Sequence, residues 1–207
     1  MPKRAIFGGT FDPVHRGHIG LIQQLDECLA FESVHFVLSA RPPHKHRVSV
    51  SIPDRFTMLE LALLEHDTYF ADDTEIVRAE ASYTRDTVIN FSDRFPEDEL
   101  FLVIGVDSLN NLPSWYRIDD WLDNVAWVVA SRPGYAIDPQ HPYRSRFVTD
   151  SDALMGEGRG AIWVFDKPQF EVSSTKIRNA LTDGDRDAAA DDLSPLVLDC
   201  IDTHELY

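Results

Sequence analysis

Two histidines three residues apart, His15 and His18, close the string GGTFDPVHRGH, residues 8–18, which follows the short apolar run RAIF. Imidazoles donate hydrogen bonds and can carry positive charge near neutral pH. Both properties suit a phosphate whose charge grows in a transition state. Gly8 and Gly9 after a strand allow a turn with positive φ and a close backbone approach to a ligand. Asp12-Pro13 favours extended or turn backbone. A helix is expected to begin near Gly17 or His18, with its unpaired N–H groups and its dipole aimed at an anion. His15 then lies just before the helix and His18 on its first turn. Neither a Walker G-x-x-x-x-G-K-[ST] loop nor a G-x-G-x-x-G fingerprint is present.

A second phosphate-binding helix start is expected at VSSTKIR, residues 172–178. Ser173 or Ser174 can cap it, Ser174 and Thr175 add hydroxyl donors, and Lys176 and Arg178 add charge. Arg178 is the better clamp, because its planar fork matches phosphate oxygens. PPHKH, residues 42–46, is a basic loop in a chain with only four lysines. ASYTRDT offers one more helix start, with Thr84 as the expected cap and backbone N–H groups suited to a carboxylate. LPSWY places Trp115 in a loop, where an indole can stack on a flat ring. Trp121, Trp127 and Trp163 fall in apolar patterns and are expected in the core.

These loops need a scaffold. RAIF, VHFVL, LFLVIG, VAWVVA and AIWVF read as strands, and the nearly continuous apolar LFLVIG as one buried on both faces. Between them, Ile19, Ile22, Leu25 and Leu29 recur at helical spacing, as do Phe56, Leu59 and Leu63, then Val88, Phe91 and Phe95. Ser194 and Pro195 open a last helix. Strands alternating with helices predict an α/β, Rossmann-like, doubly wound parallel sheet with C-terminal helices. In such sheets ligands bind beyond the carboxyl ends of the strands, where the loops GGTFDPVHRGH, SARPPHKHR, GVDSLNNLPSWY, SRPGY and FEVSSTKIR are expected. A single domain over residues 1–207 is expected, with 173–207 its C-terminal helical part.

Composition bounds the function. The formal charge of −16, from 35 acidic against 19 basic residues, opposes non-specific binding to nucleic acid. No apolar run approaches the roughly 20 residues that span a bilayer, and MPKRAIFGG does not read as a secretory leader. Cys28 and Cys200 are expected as free thiols, in keeping with a reducing cytoplasm. A homo-oligomer is compatible with all of this.

In order along the chain, GGTFDPVHRGH, PPHK, SYT, GVDSL, SWY, RPGY and SSTKIR resemble the bacterial nicotinate mononucleotide adenylyltransferases. The opening string and SSTKIR resemble the wider H-x-G-H nucleotidyltransferases, and PPHK, SYT and the loop tryptophan narrow the likeness. The resemblance implies the nucleotidyltransferase fold. It implies transfer of an adenylyl group from ATP, with Mg²⁺, to nicotinate mononucleotide, giving deamido-NAD and pyrophosphate. His15, His18, Ser174, Thr175 and Arg178 would hold the ATP phosphates, with His18, His15 and Arg178 catalytic. Gly8, Gly9, Thr10 and Phe11 would line the nucleotides, Gly105 and Asp107 a ribose, and Arg132 the ATP side. His44 and Lys45 would meet phosphate, Tyr83 and Thr84 would offer N–H groups to the nicotinate carboxylate, and Trp115 would stack on the pyridine. No protein-borne metal cluster is implied. Val172 and Leu38 depart from the family's usual isoleucine and proline.

The chemistry agrees. A phosphate monoester, with a second pKa near 6, is already a nucleophile at neutral pH, so alignment and charge neutralisation suffice. Phosphopantetheine adenylyltransferase, which usually has threonine at the position of His15, is the nearest rival. A nucleotide-binding sensor of the same fold would bind without releasing pyrophosphate.

Overall fold

The computed structural model describes residues 1–41, 48–78, 83–131, 134, 136–166 and 170–207. His44, Lys45 and Arg132 lie outside the described residues. The chain runs β1 (Lys3–Gly9), α1 (Arg16–Leu29), β2 (Ser33–Leu38), α2 (Ile52–Leu63), β3 (Tyr69–Asp72), α3 (Thr84–Arg94), β4 (Glu99–Gly105) and α4 (Val106–Asn111). It continues through β5 (Ala126–Ala130), β6 (Phe147–Val148), α5 (Ser151–Glu157), β7 (Ile162–Phe165), α6 (Ser174–Thr182), α7 (Arg186–Ala190) and α8 (Pro195–Thr203). The seven strands hydrogen-bond in the order β3-β2-β1-β4-β5-β7-β6, the doubly wound arrangement expected. The β1–β4, β4–β5, β5–β7 and β6–β7 ladders are all parallel, with Phe7 opposite Val103 and Ala130 opposite Phe165. Strand order reverses between β1 and β4, the topological switch point of such sheets. The chain divides into two compact units, Met1–Phe7 with Leu25–Val34 and Tyr83–Gln169, and Gly8–Gln24 with His35–Ser82 and Phe170–Tyr207.

In the first unit β4 and β5 supply the centre of the core, with Leu100, Phe101, Trp127 and Val128 fully buried. Their continuous apolar runs reflect burial on both faces. Trp121, Trp127 and Trp163 are buried as expected. In the second unit α2 packs on α8. Met58, Leu59, Val197 and Ile201 are buried there, and Phe11 and Phe36 are buried in the same unit. The caps at Ser173, Ser194 and Ser51 each accept a first-turn N–H, from Lys176, Val197 and Asp54. Each ties the start of a helix to a sequence signal. Cys28 and Cys200 are free, in α1 and α8; Cys200 is buried and Cys28 half-buried.

Some elements have no sequence signal of their own. In β3, YFAD, Phe70 faces solvent, so its apolar residues form no run of the kind that marks a central strand. The α4 helix starts directly after β4 with Gly105 at its cap and no side-chain cap, inside a stretch expected to be loop.

Candidate active site

In the second unit the opening loop is built around Phe11. The expected left-handed turn at Gly8 and Gly9 is not there. Both glycines continue β1, and Phe11 takes the positive φ, 47°. A bulky residue rarely adopts that conformation. Here the Phe11 ring is buried, 6.0 Å from Phe36 and edge-on to His18 at 5.1 Å. The ring explains Gly9, where a Cβ would sit 2.6 Å from Phe11 carbons. Gly8 is different: among the described residues, no atom beyond its chain neighbours lies within 4 Å of where its Cβ would be. The Asp12–Pro13 peptide is cis.

The α1 helix starts at Arg16, two residues earlier than His18. His15 is buried and His18 half-buried. Their rings stack, with centroids 3.7 Å apart. The His15 backbone N–H donates to His18 Nδ1 at 3.2 Å. Nδ1 is thereby an acceptor, which places the ring proton on Nε2 and makes Nε2 the donor the ring can offer.

Gly17 has a role that sequence alone does not reveal. A Cβ there would lie 2.5 Å from Val172 Cγ1 and 3.1 Å from His15 Nδ1. The valine before the serines therefore packs into a space that only glycine leaves open. Gly17→Ala is expected to cost about 1–3 kcal/mol, the usual range for overpacking, as read by chemical denaturation. An unchanged midpoint would show that Val172 and His15 give way freely.

Helix α6 is tied to the same loop. Ser173 is its cap, and Ser174 Oγ donates to Pro13 O at 3.0 Å. Arg178 Nη1 donates to Asp12 O at 2.7 Å, and Nη2 donates to Thr175 Oγ1 at 3.2 Å. Its remaining N–H groups make no hydrogen bond among the described residues. Thr10 is half-buried, while Thr175 and Lys176 are exposed. The start of α1, the start of α6, two imidazoles and a guanidinium thus belong to one construction. Unpaired helix N–H groups with a guanidinium beside them suit an anion with several oxygens.

Three residues of this construction carried no functional signal in the sequence. Asp12 is buried; its Oδ1 accepts from Tyr207 Oη at 2.8 Å and its Oδ2 from Ser49 N–H at 2.9 Å. Arg55, on α2, is 1% exposed and donates to the carbonyls of Thr10, Ser39, Ala40 and Val50. Burial lowers the Arg55 pKa from its ordinary value, and the Asp12 carboxylate opposes that shift. Burial also pushes the Tyr207 pKa well up, reinforced by Asp12, so the phenol stays a donor.

The first unit carries the other expected residues. Tyr83, not Thr84, is the cap residue of α3; Thr84 is its first helical residue. Tyr83 O accepts the N–H groups of Asp86 at 3.0 Å and Thr87 at 3.4 Å. The Tyr83 ring lies 5.3 Å from that of Tyr116, and both are exposed. Trp115 is half-buried instead of free in solvent, stacked on Trp121 with centroids 6.0 Å apart. Gly105 caps α4, and a Cβ there would meet Asp107 Oδ1 at 2.6 Å. Asp107 is exposed on the first turn of α4, where a carboxylate complements the helix dipole. No group of three or more His, Cys, Asp or Glu side chains is arranged for a metal among the described residues.

Residues 6–180 match the cytidylyltransferase-like family. The chain is 31% identical over 209 residues to a probable nicotinate-nucleotide adenylyltransferase of Idiomarina loihiensis, with 99% of each covered. It is 33% identical over 211 residues to the nicotinate-nucleotide adenylyltransferase of Escherichia coli O157:H7, covering 99% of this chain and 98% of that one. Among solved structures, Plasmodium falciparum nicotinic acid mononucleotide adenylyltransferase complexed with NaAD superposes with a TM-score of 0.77 over 100% of this chain and 98% of that chain. At 18% identity that likeness speaks for the fold. Likeness extending over nearly the whole of both chains, through the loops that follow β1 and precede α6, means that this protein belongs to the nicotinate-nucleotide adenylyltransferases, nucleotidyltransferases within the cytidylyltransferase-like family.

Proposed function

We propose that the protein transfers the adenylyl group of MgATP to nicotinate mononucleotide, releasing pyrophosphate and forming deamido-NAD for NAD biosynthesis in the cytoplasm. The observation that carries the phosphate chemistry is the tie between α6 and the opening loop, through Ser174 to Pro13 and Arg178 to Asp12. An oxygen of the mononucleotide phosphate attacks the ATP α-phosphorus. The bond from that phosphorus to the β-phosphate oxygen breaks, and its electron pair leaves with pyrophosphate. No proton need be removed from the nucleophile.

The role of the chain is alignment and neutralisation. His18, through Nε2–H, and His15 donate to the triphosphate. Arg178, Ser174 and Thr175 hold its outer phosphates. Backbone from Gly8 to Phe11 lines the nucleotides, Gly105 and Asp107 meet a ribose, and Arg132 lies on the ATP side. His44 and Lys45 meet the mononucleotide phosphate, and Tyr83 and Thr84 present N–H groups to the carboxylate. Trp115 stacks on the pyridine. We read the chain as one catalytic domain. Mg²⁺ enters as part of the substrate MgATP, screening phosphate charge. The Asp12 oxygens accept from Tyr207 and Ser49.

The base preference tests this reading. Donors at a helix start favour a carboxylate over an amide, whose NH₂ would meet donors with a donor. One charge-assisted hydrogen bond is worth about 1.5–3 kcal/mol, so kcat/KM for nicotinate mononucleotide should exceed that for nicotinamide mononucleotide by at least about tenfold. Trp115→Ala should weaken both by similar factors. A wild-type ratio near one, or a Trp115→Ala loss confined to nicotinate, would contradict the pocket.

A further inference from the structure

We infer that Tyr207 is a positioning residue for the triphosphate, acting through Asp12 on Arg178. The inference rests on the reading above that Arg178 clamps ATP phosphates. The puzzle it answers is the buried carboxylate of Asp12, placed beside an anion site. Left alone, that charge would repel the ligand and would be costly to bury. The structure shows how that carboxylate is held. Tyr207 Oη donates to Oδ1 at 2.8 Å and Ser49 N–H donates to Oδ2 at 2.9 Å, fixing both oxygens. The same residue's carbonyl accepts Arg178 Nη1 at 2.7 Å, and Oδ2 lies 4.0 Å from that nitrogen. Arg178 is half-buried, so the attraction is felt across a partly desolvated gap.

The backbone and the carboxylate of one residue therefore set where the guanidinium sits, and Tyr207 sets where that carboxylate sits. Arg55 frames the loop from the other side, through Thr10 O at 2.8 Å and Ser39 O at 3.0 Å. Tyr207 itself touches no phosphate in this scheme. The upward shift of its pKa, from burial first and Asp12 second, keeps the proton on Oη throughout the working range. Without that proton donor, Oδ1 is free to turn toward Arg178. The guanidinium would then be drawn into a closed pair with Asp12 and withdrawn from the ligand.

The test is a double-mutant cycle of Tyr207→Phe and Asp12→Asn, read as MgATP affinity by calorimetry without any acceptor. Tyr207→Phe should weaken MgATP measurably, by up to about tenfold, since the energy of one hydrogen bond to a charged group is the most that the change can pass on through Asp12. It should leave nicotinate mononucleotide affinity unchanged within error. In the Asp12→Asn background, where no charge remains to misdirect Arg178, Tyr207→Phe should have no further effect. Denaturation midpoints of the four proteins read the same coupling without ligand. A Tyr207→Phe protein that fails to fold would support the inference only if the double variant folds, and would overturn it otherwise. Wild-type MgATP affinity in Tyr207→Phe, an equal loss in both backgrounds, or equal weakening of both ligands would each overturn it. A wild type that binds MgATP but does not turn over nicotinate mononucleotide would instead overturn the acceptor assignment, leaving the cycle readable.

Discussion

His18→Ala should lower kcat by roughly 10²-fold or more, the loss typical of removing a donor preorganised for transition-state charge. The ring is positioned for this before substrate arrives. Its Nδ1 accepts the His15 N–H, its face stacks on His15 at 3.7 Å, and the Phe11 edge meets it at 5.1 Å. A donor fixed by three contacts does not need to reorganise as charge develops, which is why the effect should fall on kcat more than on KM. The fold should persist, because His18 is only half-buried on the first turn of α1. Circular dichroism and steady-state kinetics together check this. A His18→Ala protein that keeps more than half the wild-type kcat would remove the phosphate role from that ring.

Arg178→Ala should be comparably damaging, about 10²-fold or more in kcat/KM for MgATP. Two charge-assisted hydrogen bonds to phosphate oxygens, at about 1.5–3 kcal/mol each, set that scale. The fork is half committed already, with Nη1 on Asp12 O and Nη2 on Thr175 Oγ1. Those two bonds fix its plane and leave its other N–H groups to a ligand. Arg178→Lys keeps the charge and loses the plane, so it should recover only part of the activity. Full recovery with lysine would show that charge alone matters there. Retention of kcat/KM within about threefold by Arg178→Ala would remove the clamp altogether.

The fold was legible because its strongest signals are local. LFLVIG and VAWVVA are continuous apolar runs, and they become β4 and β5, buried on both faces. Ser173, Ser194 and Pro195 mark helix starts by capping chemistry, and those helices begin where the signals stand. The edge strand β3 was not legible, since Phe70 in the middle of YFAD faces solvent and breaks the apolar run. The residues proposed to bind phosphate were legible as candidates, because anion chemistry demands histidine, hydroxyl and guanidinium groups near glycines and helix starts. Their supports were not. Asp12 reads as a turn former before proline, Arg55 as a polar position on an amphipathic helix, and Tyr207 as nothing in particular. What joins Asp12 to Tyr207 is a hydrogen bond between residues 195 positions apart, and no local spacing encodes that. Gly17 belongs with them, because its need for a missing side chain comes from Val172, on a distant segment.

The most direct measurement is product formation by the purified protein with MgATP and a single acceptor at a time. With nicotinate mononucleotide, pyrophosphate should be released in step with deamido-NAD, identified by mass. With phosphopantetheine, neither pyrophosphate nor an adenylylated product should appear. Equal turnover with phosphopantetheine, or MgATP bound without pyrophosphate release in the presence of nicotinate mononucleotide, would contradict the adenylyl transfer proposed for this chain.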